Sequence, residues 1–302
     1  CRGRRAMREV DEALLRGMPL PRHMDGDDKD ARGRVLVVAG SREVPGGALL
    51  AALGALRAGA GKLQVATAAS VAPGLALALP EARVTGLPET EDGEVAPDAA
   101  EVLAQRVGQA DSVVVGPGMM EGGIACTLAA RLLGHAAGTA TRFVLDAAAL
   151  HHPDALRAVL REAGLAGRVV VTPHAGEMAT LLGIPRDAVL ADRLGAAREA
   201  AALLHAVVAM KGAGTFVVTP QGQAWFSPRG NVGLATSGSG DTLAGILAGL
   251  LARGATPMEA TIWAVFLHGE AGERLARRQG RVGFLARELL AEIPAIMAGL
   301  EA

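Results

Sequence analysis

Eight consecutive residues, Ala-Thr-Ser-Gly-Ser-Gly-Asp-Thr at positions 235–242, combine small side chains with one carboxylate. Glycine lets a backbone approach a ligand closely. The apolar residues that follow predict a helix over residues 241–251. Its free N–H groups and the positive end of its dipole would face the loop, which suits the binding of a phosphate group. Asp241 would lie at the mouth of that site.

Asp241 has two interpretations. Aspartate is a frequent N-cap, so the start of a helix would by itself explain the residue. A carboxylate beside a phosphate-binding loop also repels the phosphate, however, and a capping role does not require that. We therefore favour a general base that takes a proton from an acceptor hydroxyl.

Other polar residues have weaker signals. Residues 211–215, Lys-Gly-Ala-Gly-Thr, have the composition of a phosphate-binding turn, although a hairpin connector would explain them too, and they are not a P-loop. The turn at residues 40–47 lacks Gly-x-Gly-x-x-Gly, which disfavours a Rossmann dehydrogenase. His174, beside Glu177, is either an acid–base residue or a structural histidine. No His, Cys or carboxylate set has zinc spacing, so we assign no metal ligand.

Short apolar runs must position these residues. Buried strands are predicted at residues 35–40, 63–66, 113–115, 143–145, 169–171 and 207–210, a hairpin at 216–226, and helices at 48–57, 124–133, 187–205, 241–251 and 260–279. Asp187 is the expected N-cap of the third helix. The alternation predicts an α/β fold, a mostly parallel sheet with helices on both faces. In such folds, ligands bind at the carboxyl ends of the strands, which is where the candidate residues fall.

Length and composition narrow the class of protein. No composition break divides the 302 residues, so we interpret residues 1–28 as a polar lead and residues 29–302 as a single domain. A net charge of -1 and the scarcity of aromatic residues disfavour nucleic acid as a partner. The cysteines, Cys1 and Cys126, form no disulfide framework, and no apolar run reaches 18 residues. We therefore expect a reduced, cytoplasmic protein without a membrane segment.

Taken in order, the motifs resemble the ADP- or ATP-dependent NAD(P)H-hydrate dehydratases of the ribokinase-like superfamily. The resemblance runs from residue 29 onwards. It rests on the segments at 35–41, 47–61, 114–118, 144–146, 172–177, 210–215, 230–241 and 267–272. The most specific is Gly-Asn-x-Gly-Leu-Ala-Thr-x-Gly-Ser-Gly-Asp at 230–241, since Gly-x-Gly-Asp alone would indicate only a ribokinase-like protein. The resemblance implies a three-layer αβα fold of the ribokinase-like type.

The resemblance also implies an activity, the repair of hydrated NADH or NADPH, (S)-NAD(P)HX, with conversion of ADP to AMP and phosphate. Asp241 would be the base on the ring hydroxyl, and Ala48, Gly118 and His174 would line the site of the hydrated dinucleotide. The implied nucleotide-binding residues are Lys211, Gly212, Ala213, Gly214, Thr215, Gly238, Ser239 and Gly240. Mg²⁺ would accompany ADP or ATP. A homo-oligomer is expected, a tetramer by family resemblance.

Three positions depart from the family pattern. Ala148 replaces the second aspartate of Leu-Asp-Ala-Asp-Ala-Leu, Ser237 replaces a glycine, and Val232 replaces the proline of Asn-Pro-Gly. The loss at 148 removes a carboxylate that would position metal or substrate, and serine disfavours positive φ. Two alternatives stay open. One is a kinase for a small alcohol, such as a thiazole or hydroxymethylpyrimidine, and the other is a weakened protein that binds nucleotide without turnover.

Overall fold

The computed structural model describes residues 7–26 and 28–301. The strands of this part of the chain are β1 (Arg8–Glu9), β2 (Arg34–Val38), β3 (Lys62–Ala68), β4 (Arg83–Leu87), β5 (Ser112–Val115), β6 (Arg142–Leu145), β7 (Val169–Val171), β8 (Val207–Met210), β9 (Thr215–Val218) and β10 (Ala224–Ser227). The α-helices are α1 (Glu12–Arg16), α2 (Pro45–Arg57), α3 (Ala72–Ala78), α4 (Ala99–Gln109), α5 (Gly122–His135), α6 (Pro153–Glu162), α7 (Ala175–Leu182), α8 (Arg186–Ala191), α9 (Arg193–Leu204), α10 (Ser239–Ala252), α11 (Pro257–Gln279) and α12 (Ala286–Glu301). Two 3₁₀-helices are η1 (Ala147–Leu150) and η2 (Val232–Leu234).

The strands form one sheet in the order β1-β10-β9-β8-β7-β6-β5-β2-β3-β4. Neighbouring strands are parallel, except that β9 is antiparallel to both β8 and β10. Along β2, Val35 and Val37 pack into one apolar cluster, and Leu36 and Val38 into the other. The strand is apolar throughout because helices cover both faces of the sheet. The predicted α/β fold class is confirmed.

The predicted helix over residues 187–205 is wrong, because the segment contains two helices, α8 and α9. Asp192 breaks it, and its carboxylate caps α9 by accepting a hydrogen bond from Gly195 N at 2.8 Å. Asp187 is therefore no N-cap and lies inside the first turn of α8, after Pro185. Aspartate competes for backbone N–H groups, so it favours helix starts over helix interiors.

The N-terminal segment packs against the edge of the sheet that β10 would otherwise form. β1 runs parallel to β10, and Val10, Leu15 and Leu20 are buried in the apolar core. Trp263 Nε1 on α11 donates a hydrogen bond to Met18 O at 2.8 Å. The described part of the segment interpreted above as a polar lead thus contributes apolar side chains to the core.

Over residues 7–26 and 28–301, no helix has the length and hydropathy that crossing a membrane requires. Cys126 is buried as a free thiol on α5. Burial raises the pKa of this thiol, so it is a poor nucleophile at neutral pH.

Candidate active site

The carboxyl ends of adjacent parallel strands bring distant segments of the chain to one edge of the sheet. Asp146 follows β6, Thr172 follows β7 and Lys211 follows β8. These strands are neighbours in the sheet, so the three side chains meet although 65 residues separate Asp146 from Lys211. This arrangement agrees with the rule that ligands bind at strand carboxyl ends in open α/β sheets.

Helix α10 begins two residues earlier than predicted, at Ser239. Its N-cap is Gly238, whose φ of +85° is a left-handed conformation that glycine adopts readily. Asp241 is therefore the third residue of the helix, and the interpretation of Asp241 as an N-cap is wrong. Ser239 N donates to Thr236 O at 3.2 Å, so the N–H groups of the first turn that are available to an anion are those of Gly240 and Asp241.

A buried ion-pair network lies over this helix terminus. Lys211 Nζ is 2.7 Å from Asp146 Oδ1 and 3.6 Å from Glu177 Oε2, and Thr172 Oγ1 donates to Asp146 Oδ1 at 2.6 Å. A Cβ on Gly240 would lie 3.4 Å from Lys211 Nζ, so the ammonium group is beside the first turn of α10. Burial alone would lower the pKa of Lys211, but the two carboxylates raise it, so the lysine is charged.

The pKa of Asp241 lies closer to neutral pH than that of an ordinary aspartate. Burial raises the pKa of Asp241 to about 6, the negative charge of Asp146 adds to the effect, and Lys211 opposes it. A general base functions best when its pKa lies near the working pH, since it is then both deprotonated and basic. The local electrostatics are therefore those of an acid–base group.

His268, on α11, contacts the first residue of α10. Its Nε2 lies 3.0 Å from both Ser239 Oγ and Ser239 O. Burial lowers the pKa of His268 to about 4, so the imidazole is neutral at pH 7. The residue holds the start of α10 in place without adding charge to the site.

His174 is at once an N-cap and a wall residue of the cavity described below. Its Nδ1 accepts hydrogen bonds from Gly176 N at 3.0 Å and Glu177 N at 3.1 Å, and Glu177 Oε2 accepts from His174 N at 2.7 Å. This capping box fixes the first turn of α7. It also holds the Glu177 carboxylate beside Lys211, and the exposed edge of the imidazole faces the cavity.

The turn of residues 211–215 connects β8 to β9 and is held from behind by Arg193. The Arg193 guanidinium donates to Met210 O at 3.2 Å and to Gly214 O at 2.5 Å, at the two ends of the turn. It also lies over the ring of Phe216, 5.2 Å from its centroid. Arg193 was missed in the sequence because nothing in its helical context distinguishes it from a solvated arginine.

Ala48 and Gly118 lie beside each other on neighbouring strand connections. Ala48, in α2, is fully buried, and its Cβ would lie 3.1 Å from a Cβ on Gly40. A Cβ on Gly47 would lie 2.5 Å from Gly118 N, so the two segments touch through their backbones. The structure therefore brings these two residues together.

A cavity of about 870 Å³ joins most of the predicted site. The predicted residues that line it are His174, Lys211, Gly212, Ala213, Thr215, Gly238, Ser239, Gly240 and Asp241. Ala48, Gly118 and Gly214 do not line it, and Gly214 packs against Phe226 instead. Asp146, Glu177 and Arg229 are further charged residues of the wall. The sequence signal for Asp146 was its position directly after a strand.

The positions that depart from the family pattern have distinct environments. The residue before the first of these positions, Ala147, matches the family pattern and has a φ of +50°, which is strained for alanine. Ala148 is buried in an apolar cluster. Ser237 is exposed, and among the described non-glycine residues only Ala147 and His205 have positive φ, so serine is not strained at position 237. Val232 is exposed at the rim of the cavity.

Known proteins are similar to this chain in sequence and in architecture. The family model described as NAD(P)H-hydrate dehydratase matches residues 35–295. A protein of Xanthomonas campestris named ADP-dependent (S)-NAD(P)H-hydrate dehydratase is 49% identical over 292 residues, which are 96% of each chain. The chain spans about half, 52%, of some other relatives, which are described as bifunctional NAD(P)H-hydrate repair enzymes.

Solved structures agree with these matches. The crystal structure of the ADP/ATP-dependent NAD(P)H-hydrate dehydratase of Bacillus subtilis, co-crystallised with ATP and Mg²⁺, is 30% identical with a TM-score of 0.79, and the match covers 98% of this chain and 99% of that one. A ribokinase-like superfamily protein of Enterococcus faecalis is 25% identical with a TM-score of 0.80, over 98% and 97% of the two chains. The chain therefore has the ribokinase-like fold and belongs to the NAD(P)H-hydrate dehydratase family.

Proposed function

We propose that this chain is an ADP-dependent (S)-NAD(P)H-hydrate dehydratase, which restores NADH or NADPH from the hydrated form and converts ADP to AMP and phosphate. One observation carries the proposal. Asp241, with a pKa raised to about 6, lies in the first turn of α10, where free N–H groups and Lys211 can hold a phosphate. The substrates are inferred from family membership, because relatives named for this reaction match this chain in length and fold.

The residues account for a two-step reaction. Asp241 takes the proton of the ring hydroxyl. The hydroxyl oxygen of the substrate attacks the terminal phosphorus of ADP, and AMP leaves. The N–H groups of Gly240 and Asp241 and the Lys211 ammonium stabilise the negative charge on the transferring group. The ring nitrogen then expels phosphate from the phosphorylated carbon, and loss of a proton from the neighbouring carbon restores the double bond. Atoms balance, since hydrate plus ADP gives NAD(P)H, AMP and phosphate.

Two carboxylates on the cavity wall have the donor chemistry for Mg²⁺. Over the described residues, no group of three or more His, Cys, Asp or Glu side chains could hold a metal by itself. Mg²⁺ is typically held by one or two carboxylates together with substrate phosphates. Asp146 and Glu177, both beside Lys211, are the residues we propose for this role. When bound there, the ion would neutralise charge on the nucleotide phosphates.

The test follows reduced-nicotinamide absorbance in a mixture of hydrated NADH and Mg²⁺, with and without ADP. We expect ADP-dependent recovery with the native chain and a loss of about 10²–10⁴-fold in Asp241→Asn, because a positioned base contributes that much. The matched control is Asp11→Asn, since Asp11 caps α1 outside the cavity and asparagine caps equally well.

Three outcomes would contradict the proposal. Recovery that does not need a nucleotide would exclude phosphoryl transfer. Phosphorylation of an added thiazole or hydroxymethylpyrimidine alcohol without recovery of NADH would indicate the kinase. ADP binding without any turnover would indicate a nucleotide-binding protein.

We also propose a cytoplasmic location and a homotetramer. Light scattering coupled to gel filtration would test the oligomeric state.

A further inference from the structure

Two loops at the carboxyl ends of β2 and β5 touch each other, and the second carries Gly118, which the family resemblance places in the substrate site. The first loop leads from Gly40 into α2, and the second is the turn of residues 116–121. Gly40 N donates a hydrogen bond to Pro117 O at 2.7 Å. A Cβ on Gly47 would lie 2.5 Å from Gly118 N, so the second contact is between backbones. A displacement of either loop would therefore move the other.

One buried carboxylate holds the outer end of the turn. Glu94 is only 4% exposed, and its Oε1 accepts a hydrogen bond from Met120 N at 3.0 Å. The backbone N–H of Glu121 also lies close enough to the carboxylate to favour its charged form. Burial raises the pKa of Glu94, and the two N–H groups oppose that shift. A buried carboxylate needs such partners, and here they are backbone groups of the turn that carries Gly118.

Residues 88–98, the connection between β4 and α4, hold the first loop as well. Arg42 N donates to Gly93 O at 2.9 Å. The Arg42 guanidinium donates to Glu91 O at 3.0 Å and to Glu89 Oε1 at 3.2 Å. One short segment therefore binds both loops, the first through Arg42 and the second through a carboxylate.

The backbone of Glu94 is itself fixed. Thr90 N donates to Glu94 O at 2.9 Å, and Glu94 N donates to Thr90 Oγ1 at 3.2 Å. An isolated antiparallel bridge joins Glu89 to Val95 across the same bend. Glu94 therefore lies in a bend whose internal backbone and side-chain hydrogen bonds fix the position of the carboxylate.

We propose that Glu94 is a positioning residue for the dehydration, whose carboxylate fixes the turn of residues 116–121 so that Gly118 offers a stationary backbone to the hydrated nicotinamide nucleotide. The inference rests on the proposed function for its substrate. It assigns no chemical step to Glu94, which acts through the turn. Its consequence is a role in binding the hydrated substrate that is separate from the binding of ADP.

The first experiment compares Glu94→Leu and Glu94→Gln with the control Glu91→Gln, an exposed carboxylate in the same connection. Leucine has no acceptor for Met120 N, so we expect the KM for hydrated NADPH to rise about tenfold or more, with the Kd for ADP within about twofold of native by calorimetry. Glutamine keeps one acceptor oxygen, and we expect it to restore most of the loss. Glu91→Gln should match the native chain.

The second experiment does not depend on activity. Amide hydrogen exchange of the peptide containing Met120 and Glu121 is measured without ligands, and we expect faster exchange in Glu94→Leu and native rates in Glu91→Gln. If Glu94→Leu does not fold, Glu94→Ala replaces it, since water can enter the smaller side chain's site. Unchanged exchange in a folded variant would overturn the proposal, and so would equal losses for hydrated NADPH and ADP. If the native chain restores no NADH, the proposed function fails, whereas the exchange rates still decide whether Glu94 holds the turn.

Discussion

At the residue scale, the environment of Asp241 sets the pH dependence of the reaction. The base must be deprotonated, and the pKa of Asp241 is raised to about 6 by burial and by Asp146. We therefore expect kcat/KM to fall on the acid side with an apparent pKa near 6. His268 is not the source of this limb, because its pKa is lowered to about 4. A profile measured from pH 5 to 9 tests this, and a flat acid side would contradict it.

The position of that limb depends on the neighbouring charges. Because the charge of Asp146 raises the pKa of Asp241, Asp146→Asn should lower it and move the acid limb to lower pH, whatever the loss of absolute rate. The control is Glu12→Gln, a surface residue of α1 paired with Arg16, which should leave the limb in place. A limb that moves to higher pH in Asp146→Asn would show that another group titrates.

The same carboxylate lowers stability at the pH where it functions. The folded-state pKa of Asp241 lies above its ordinary value, so the native state binds the extra proton and is favoured at low pH. That contribution disappears as the pH rises through about 6. Asp241→Asn should therefore have strongly reduced activity and yet be more stable at pH 8, by about 1–2 kcal/mol. Urea unfolding tests this, and the difference should shrink towards pH 4; an equal or lower stability at pH 8 would contradict it.

At the scale of elements, close packing of α10 on α2 holds the phosphate site. A Cβ on Gly245 would lie 2.1 Å from Ala51 O, and one on Gly249 would lie 2.5 Å from Ala55 O. These backbone atoms cannot move aside as a flexible side chain would. Gly245→Ala should therefore push α10 away from α2, cost about 1–3 kcal/mol or more, and raise the KM for ADP.

Thermal unfolding and ADP titration measure the two effects. The matched control is Gly299→Ala in α12, where a Cβ would have no heavy atom within 4 Å. There alanine should be neutral or stabilising by up to about 1 kcal/mol, because it lowers the conformational entropy of the unfolded chain. Equal melting temperatures for the two variants would show that the α2–α10 contact is not tight.

The strands that sequence alone predicted best are those buried on both sides of the sheet. Strands β2 and β5 to β8 are continuous apolar runs and were found where expected, whereas the edge strand β4, Arg-Val-Thr-Gly-Leu, was missed because its exposed residues and glycine give no such pattern. The helix break at Asp192 was not predicted, because the surrounding stretch is rich in alanine and has the composition of one continuous helix. The predicted helix boundaries were therefore wrong where a capping side chain sets the end of a helix.

At the scale of the whole molecule, topology explains which site residues could be foreseen. Lys211 and Asp241 follow strands or open a helix in glycine-rich surroundings, so the strand-end rule found them. Arg193 and Glu94 lie outside such motifs and act through hydrogen bonds to carbonyl or N–H groups far along the chain. Contacts of this kind leave no local pattern, because only the folded chain brings the partners together.

The edge of the sheet shows the same dependence on long-range contacts. Leu15 is fully buried against the core, and Arg253 Nη2 donates to Pro21 O at 3.3 Å, so the N-terminal segment is attached at several points outside the cavity. Leu15→Ala should therefore lower the free energy of unfolding by about 2–5 kcal/mol, as expected for a leucine in a core. The control Leu77→Ala, 87% exposed, should change it by less than about 0.5 kcal/mol.

Chemical unfolding at pH 7.5 measures both variants, with the KM for ADP as the second readout. Since no residue of the described N-terminal segment, residues 7–26, lines the cavity, the loss of Leu15 should reduce stability while the folded fraction keeps the native KM. A loss of ADP affinity in fully folded Leu15→Ala would show that the N-terminal segment is coupled to the site. An unchanged free energy of unfolding would show that the segment packs on a core that is already complete without it.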